Sequence, residues 1–204
     1  MGWWNEQVVP RAVNLALSAR EIHALRERAC EGLLGDVVEV GFGSGLNCSH
    51  YPAQVVRVAA VEPSDVAWRI AQKNLRRTNA HVVRAGLDGQ ALDLASSSYD
   101  CALSTFTMCT IPDLDAALHE IVRVLRPGGE LHFVEHGLSP DDRVAKWQHR
   151  LQPIQGRVAG GCHLDRPIRE YVERSGLVLA DIDTFYGTGP KPFVYLSLGR
   201  ATRP

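Results

Sequence analysis

Apolar positions along the chain follow two periods. From Val8 to Leu34 they fall at Val9, Val13, Ala16 and Leu17, then at Ile22, Leu25, Ala29 and Leu33. Steps of three and four predict one or two amphipathic helices, ended by Gly35. Short β-branched runs follow at Val37–Val40, Val55–Val61 and His81–Val83, and a fourth strand is expected over Tyr99–Phe106. Helical spacing returns after Ser64, with Ala67, Trp68, Ala71 and Leu75 on one side, and after Asp113, with Leu114, Leu118, Ile121 and Leu125. Ser64 and Asp113 are suited to cap those helices, because their side-chain oxygens accept from exposed first-turn N–H groups. Pro127-Gly128-Gly129 stops the second helix, and Glu130–His136 is a fifth strand. A helix is expected over Pro140–Leu151, another from Asp165-Arg166-Pro167 to Gly176, then strands over Leu177–Phe185 and Pro192–Leu198.

Alternating strands and helices predict an α/β fold: a doubly wound, mostly parallel sheet with helices on both faces. The last two strands lie too close for a crossover helix, so they should pair antiparallel. A length of 204 residues suits one domain with an added terminal segment. We divide it into an N-terminal helical lid segment, 1–34, and a catalytic domain, 35–204.

The charge balance, 22 Lys and Arg against 23 Asp and Glu, argues against a general nucleic-acid binder. No apolar run approaches the ~18 residues of a membrane span, and Trp3 and Trp4 are not followed by a signal-peptide core. Cys30, Cys48, Cys101, Cys109 and Cys162 are odd in number and form no C-x-x-C. A disulfide framework or zinc finger is therefore not expected, and a cytoplasmic location is. His23, His50, His81, His119, His132, His136, His149 and His163 show no metal-ligand spacing. His132 and His136 are four apart on a strand and could share a face, but no metal site is expected.

The strongest chemical signal is Val37-Val38-Glu39-Val40-Gly41-Phe42-Gly43-Ser44-Gly45, a strand running into a glycine-rich turn. Glycines there permit positive φ and close approach of a ligand. Glu62 ends the second strand, where a carboxylate can take two ribose hydroxyls. Dinucleotide sites use G-x-G-x-x-G. Counted from Gly41, the third glycine of that pattern would be Leu46; here it comes at Gly45. The turn therefore suits a nucleoside with a sulfonium amino acid better than a pyrophosphate.

On these residues the chain resembles the class I S-adenosylmethionine-dependent methyltransferases, most closely the small "type 11" group. That group includes ubiquinone/menaquinone and alkyl thiol methyltransferases. Glu39–Gly45 is similar to its first motif, and Ala60-Val61-Glu62-Pro63 to its ribose-binding strand end. Leu87-Asp88-Gly89-Gln90 is similar to its adenine-binding turn, Ser98–Ser104 to its fourth strand, and Leu125–Gly129 to its helix-to-strand turn. The resemblance implies the Rossmann-like order 3-2-1-4-5-7-6 with strand 7 antiparallel. It implies S-adenosylmethionine as cofactor and S-adenosylhomocysteine as product. The cofactor residues it implies are Glu39, Gly41, Gly43, Gly45, Glu62, Pro63, Asp88, Gly89, Ser104 and Thr105. Leu87 stands where the family usually has glycine, and Thr107-Met108-Cys109-Thr110 matches no family-specific catalytic set.

The acceptor side is less defined. His136 follows Glu135 at the end of the fifth strand, and the alkyl thiol group also shows Glu-His there. Gly160-Gly161-Cys162-His163-Leu164-Asp165-Arg166 resembles a stretch of the same group, and places His163 or Cys162 toward a substrate pocket. His136 and His163 are the candidate catalytic residues. A sulfonium methyl is already activated, so the enzyme must mainly hold the acceptor ~3–3.5 Å away. A base is needed only where the acceptor arrives protonated. The expected activity is methyl transfer to a heteroatom, or an activated carbon, of a small, fairly apolar molecule. The alternatives are a non-catalytic S-adenosylmethionine-binding domain and an NAD(P)-dependent oxidoreductase.

Overall fold

A computed structural model describes residues 20–204. The expectations placed on Trp3, Trp4 and the helical stretch before Arg20 lie outside the described residues. Helix α1 (Arg20–Cys30) precedes β1 (Gly35–Val40). Then come β2 (Val55–Val61), α2 (Asp65–Ala71), β3 (His81–Gly86) and β4 (Tyr99–Thr105). Helix α3 (Leu114–Val124) leads directly into β5 (Leu125–His136). Helices α4 (Asp142–Val158) and α5 (Ile168–Arg174) are followed by β6 (Val178–Tyr186) and β7 (Tyr195–Thr202).

The seven strands form one sheet in the order β3-β2-β1-β4-β5-β7-β6. Strand β7 runs antiparallel to both β5 and β6; β1 through β5 are parallel. This is the predicted order. The chain leaves β1 toward β2 on one side and returns as β4 on the other, which makes the carboxyl ends of β1 and β4 the switch point where such sheets bind ligands.

The pleat sorts the core. Val38 and Val40 of β1 join Leu118 and Ile121 of α3 and Ile168 and Val172 of α5 on one face. Val37, one residue out of phase, joins Ala29, Cys30 and Leu33 of the α1 segment on the other. Ser64 and Asp113 cap α2 and α3, accepting from Ala67 N at 3.2 Å and Ala116 N at 3.0 Å.

Several boundaries differ from expectation: β3 runs on to Gly86, and β7 spans Tyr195–Thr202, not Pro192–Leu198. Leu125 is already paired with Tyr99, and the register of β5 shifts before Glu130 pairs with Cys101. The Pro127-Gly128-Gly129 turn is therefore an irregularity inside a strand, not the gap between helix and strand. Helix α4 runs past Leu151 and through Pro153 to Val158.

Candidate active site

The turn after β1 is folded back onto β2. The N–H groups of Gly41 and Phe42 both donate to the Val61 carbonyl, at 3.0 and 3.1 Å. Gly41 has φ +76°, and a Cβ there would lie 2.0 Å from Thr107 Oγ1. Gly43 differs: at φ +57°, a Cβ would meet nothing nearer than Gly41 O at 3.8 Å. Its N–H donates to Glu62 Oε2 at 2.7 Å, and Ser64 N–H donates to Oε1 at 2.6 Å. Burial pushes the Glu62 carboxyl up in pKa, against the pull of those two bonds. Each carboxylate oxygen keeps a second lone pair for a ligand hydroxyl.

Beneath this turn lies a buried polar network. Glu39 accepts from Asn47 Nδ2 at 2.9 Å and from the Tyr51 hydroxyl. Burial raises its pKa to about 7, although Tyr51, Asn47 and Arg26 all oppose the shift. Arg26, reaching in from α1, donates to Asn47 Oδ1 at 2.9 Å and Thr105 Oγ1 at 2.7 Å. Desolvation lowers the Arg26 pKa, with Glu39 the largest opposing charge. The network ties α1, β1 and β4 together.

A cavity of about 320 Å³ opens over the ends of β1, β2 and β4. Of the residues expected to bind cofactor, Gly41, Gly43, Glu62, Pro63, Gly89 and Thr105 line it. Glu39, Gly45, Asp88 and Ser104 do not. Glu39 sits in the network below, and Gly45 packs against Phe42 and Cys48. Asp88 faces outward, accepting from the N–H and Nε2 of Gln90 at 2.9 Å each. Ser104 is fully buried and donates to Glu135 Oε1 at 2.8 Å. Among the described lining residues, Arg26 is the one cation and Glu62 the one anion. S-Adenosylmethionine fits this set: Glu62 suits the ribose diol, Arg26 the amino-acid carboxylate, and the bare Gly43 the close passage of the tail. Sequence reasoning missed Arg26, since nothing in its helix marks it as different from Arg28.

A second cavity, of about 340 Å³, adjoins the first. Phe106 lines both, at φ +56°, a conformation costly for a bulky residue and often held at functional sites. Ile22, Leu25, Phe185, Val194 and Leu196 give the second cavity apolar walls; its polar side chains are His136, Tyr186, Thr188 and the exposed Glu21. The His136 ring lies 5.4 Å from the Phe106 ring, centroid to centroid. His163 lines neither cavity; its Nδ1 is 3.2 Å from Gln152 Nε2 and 3.8 Å from Asp165 Oδ1.

The two histidines that share β5 are not close partners. His132 is fully buried, with Nδ1 3.2 Å from the Ala29 carbonyl, and among the described residues it joins no group of potential metal ligands with His136. Instead, the side-chain ligand atoms of Cys109, His136 and Cys162 all lie within 4.8 Å of one another. A hydrogen bond from Cys109, then the His136 ring, pulls the Cys162 thiol down in pKa, while Cys109 is pushed up.

Residues 38–133 match the family described as a methyltransferase domain. The chain is 32% identical over 178 residues to thiol S-methyltransferase TMT1B of Mus musculus, covering 83% of this chain and 70% of that protein. It is 30% identical over 170 residues to TMT1B of Rattus norvegicus, covering 80% of this chain and 66% of that protein. The chain thus spans about two thirds of these relatives' length. A geranyl diphosphate methyltransferase solved in complex with S-adenosylmethionine superposes with a TM-score of 0.68, at 16% identity, over 95% of this chain and 90% of that one. At that identity the likeness speaks for the fold. Sheet order, glycine turn, the buried carboxylate after β2 and sequence relationship converge, and the chain belongs to the class I S-adenosylmethionine-dependent methyltransferases.

Proposed function

We propose that the protein methylates the sulfur of a small, apolar thiol. The observation that carries this reading is the second cavity: apolar walls, one histidine, and a single aromatic ring separating it from the cofactor cavity. The names of the rodent relatives, thiol S-methyltransferases, support it. S-Adenosylmethionine, when bound, supplies a methyl group already activated by its sulfonium. The chain's own residues then have positioning tasks. Glu62 and Arg26 hold the two polar ends of the donor. Phe106 keeps water from the junction, and a dry junction strengthens the remaining electrostatic interactions. His136 hydrogen-bonds the acceptor, or takes its proton at a ring nitrogen.

Helix α1 gives Arg26 to the first cavity and Ile22 and Leu25 to the second, which supports a lid role for residues 1–34. All five cysteines are free, which supports a reducing, cytoplasmic setting. No helix among the described residues is long and apolar enough to cross a membrane.

Turnover of methyl-labelled cofactor against a panel of alkyl and aryl thiols, phenols and quinols tests the reading. Thiols should be methylated preferentially. Methylation of phenols or quinols alone would overturn it.

A further inference from the structure

Three chain segments that share no sequence motif converge around His136, which lines the second cavity. Cys109 sits in the turn after β4, His136 ends β5, and Cys162 lies in the glycine-bent loop after α4. One backbone bond ties two of them together, His163 N–H donating to the Cys109 carbonyl at 2.7 Å, and within the second loop Cys162 N–H donates to the Ala159 carbonyl at 3.2 Å. Gln152 adds two more, donating to the Cys162 carbonyl at 3.2 Å and accepting from Leu164 N–H at 2.7 Å. Gly160 and Gly161, both at positive φ, let the chain bend back there. Cys109 and Cys162 are 2% and 7% exposed, so neither sulfur is placed for solvent chemistry.

From this convergence we propose that Cys109, His136 and Cys162 form a binding site for a zinc-class divalent metal, with its fourth coordination position open to the acceptor cavity. Two sulfurs and one imidazole are a borderline-soft donor set that zinc favours, and three protein ligands with one open position is the arrangement of zinc sites that handle substrate. Zinc–sulfur bonds of ~2.3 Å and zinc–nitrogen bonds of ~2.0–2.1 Å put tetrahedral ligand atoms roughly 3.5–3.8 Å apart. The observed spacing, within 4.8 Å, is about 1 Å wider than that. The sulfurs bind as thiolates, any proton they still carry passing to solvent, and the two thiolates balance the ion's charge. Glu135, the neighbour of His136 in the chain, is fully buried, with Oε2 unpaired among the described residues.

The metal's role in transfer rests on the thiol reading above; its binding does not. A thiol entering the open position gives its proton to solvent and stays bound as thiolate. Its sulfur then forms a bond to the methyl carbon as the sulfonium carbon–sulfur bond breaks, and that bonding pair stays on the donor sulfur, which leaves as S-adenosylhomocysteine. With the metal bound, His136 is a ligand of the ion, and this replaces the general-base role it has without metal.

The test is titration of untagged protein, kept reduced by a phosphine, with Zn²⁺ against a chromophoric chelator and separately with Co²⁺. One equivalent should bind, and Co²⁺ should give a thiolate charge-transfer band. The double variant C109S/C162S should lose more than ~100-fold in affinity, beyond the loss typical of a residue that only supports a ligand. Its S-adenosylhomocysteine affinity and far-UV spectrum should stay as in the wild type. If that variant does not fold, Cys162→Ser alone should halve the charge-transfer intensity. No uptake by the reduced wild type, or uptake that survives loss of both cysteines, overturns the site. Thiol methylation without metal uptake overturns the site and leaves the proposed function standing. Metal uptake with turnover of phenols alone leaves the site and removes its thiol role.

Discussion

The N–H of Gly43 donates to Oε2 of Glu62 at 2.7 Å, locking the glycine turn after β1 to the end of β2. One carboxylate thus shapes the loop and presents lone pairs to the cavity. Glu62→Ala should weaken S-adenosylhomocysteine binding by ~1–3 kcal/mol, the scale of lost hydrogen bonds to a charged group. Calorimetry checks this, and unchanged affinity would remove Glu62 from the site. Because burial raises the Glu62 pKa, wild-type affinity should begin to fall at a higher pH than an ordinary glutamate would give.

Gly41 and Gly43 stand two residues apart and should fail in different ways. A Cβ at Gly41 collides with the Thr107 side chain, at 2.0–2.5 Å. Gly41→Ala should therefore destabilise the fold by ~2–4 kcal/mol, the sum of overpacking and left-handed strain. A Cβ at Gly43 meets no neighbour within 3.4 Å, yet the residue lines the cavity. Gly43→Val should remain folded, losing ~1–2 kcal/mol to strain, and should no longer bind cofactor. Thermal melts with and without S-adenosylhomocysteine separate the two: normal ligand stabilisation of Gly43→Val would make the loop only a turn.

Glu39 gives stability a pH dependence. Its folded-state pKa of about 7 exceeds that of an unfolded glutamate, near 4.5. Between those values the folded protein holds a proton that the unfolded chain has released, so stability falls as pH rises from about 4.5 to 7 and levels off above. Glu39→Gln keeps the shape and removes the charge. Relative to wild type, it should gain stability from pH 5 to pH 8, by up to about 3 kcal/mol. Parallel denaturant curves for the two proteins at both pH values would refute this.

What the sequence shows of this molecule is mostly what local spacing can carry. The β-branched runs, the glycine turn and the caps Ser64 and Asp113 are each readable within a few residues. The antiparallel β7 followed from the short connection after β6. Arg26 was not readable, because its partner Thr105 is 79 residues away and the burial that singles it out is a property of packing. Glu39 reads as a cofactor ligand from its place in the motif, yet Asn47 and Tyr51 occupy both its oxygens. Cys109, His136 and Cys162 meet only through three loop closures. Pro153 marks a helix end by propensity, but α4 continues to Val158.

His136 carries the riskiest expectation on the acceptor side. Its ring lies against Phe106, the residue common to both cavities, while the first cavity is built at the ends of β1, β2 and β4. Removing it should therefore separate two properties that most damaging substitutions lower together. His136→Ala should reduce kcat/KM for a thiol by ~10²–10⁴, the range of a lost general base. The dissociation constant of S-adenosylhomocysteine should stay near the wild-type value. If His136 serves only to deprotonate the acceptor, the deficit should shrink as pH rises past the thiol's own pKa of ~8.5. If it holds a metal, the deficit should persist above that pH unless metal is lost from the wild type as well. His163→Ala offers the contrast: its ring bonds Gln152 outside both cavities, so turnover should remain within about two- to threefold. Wild-type turnover by His136→Ala across pH 6–9 would show that the histidine only supports the wall, and that catalysis rests on positioning by the two cavities.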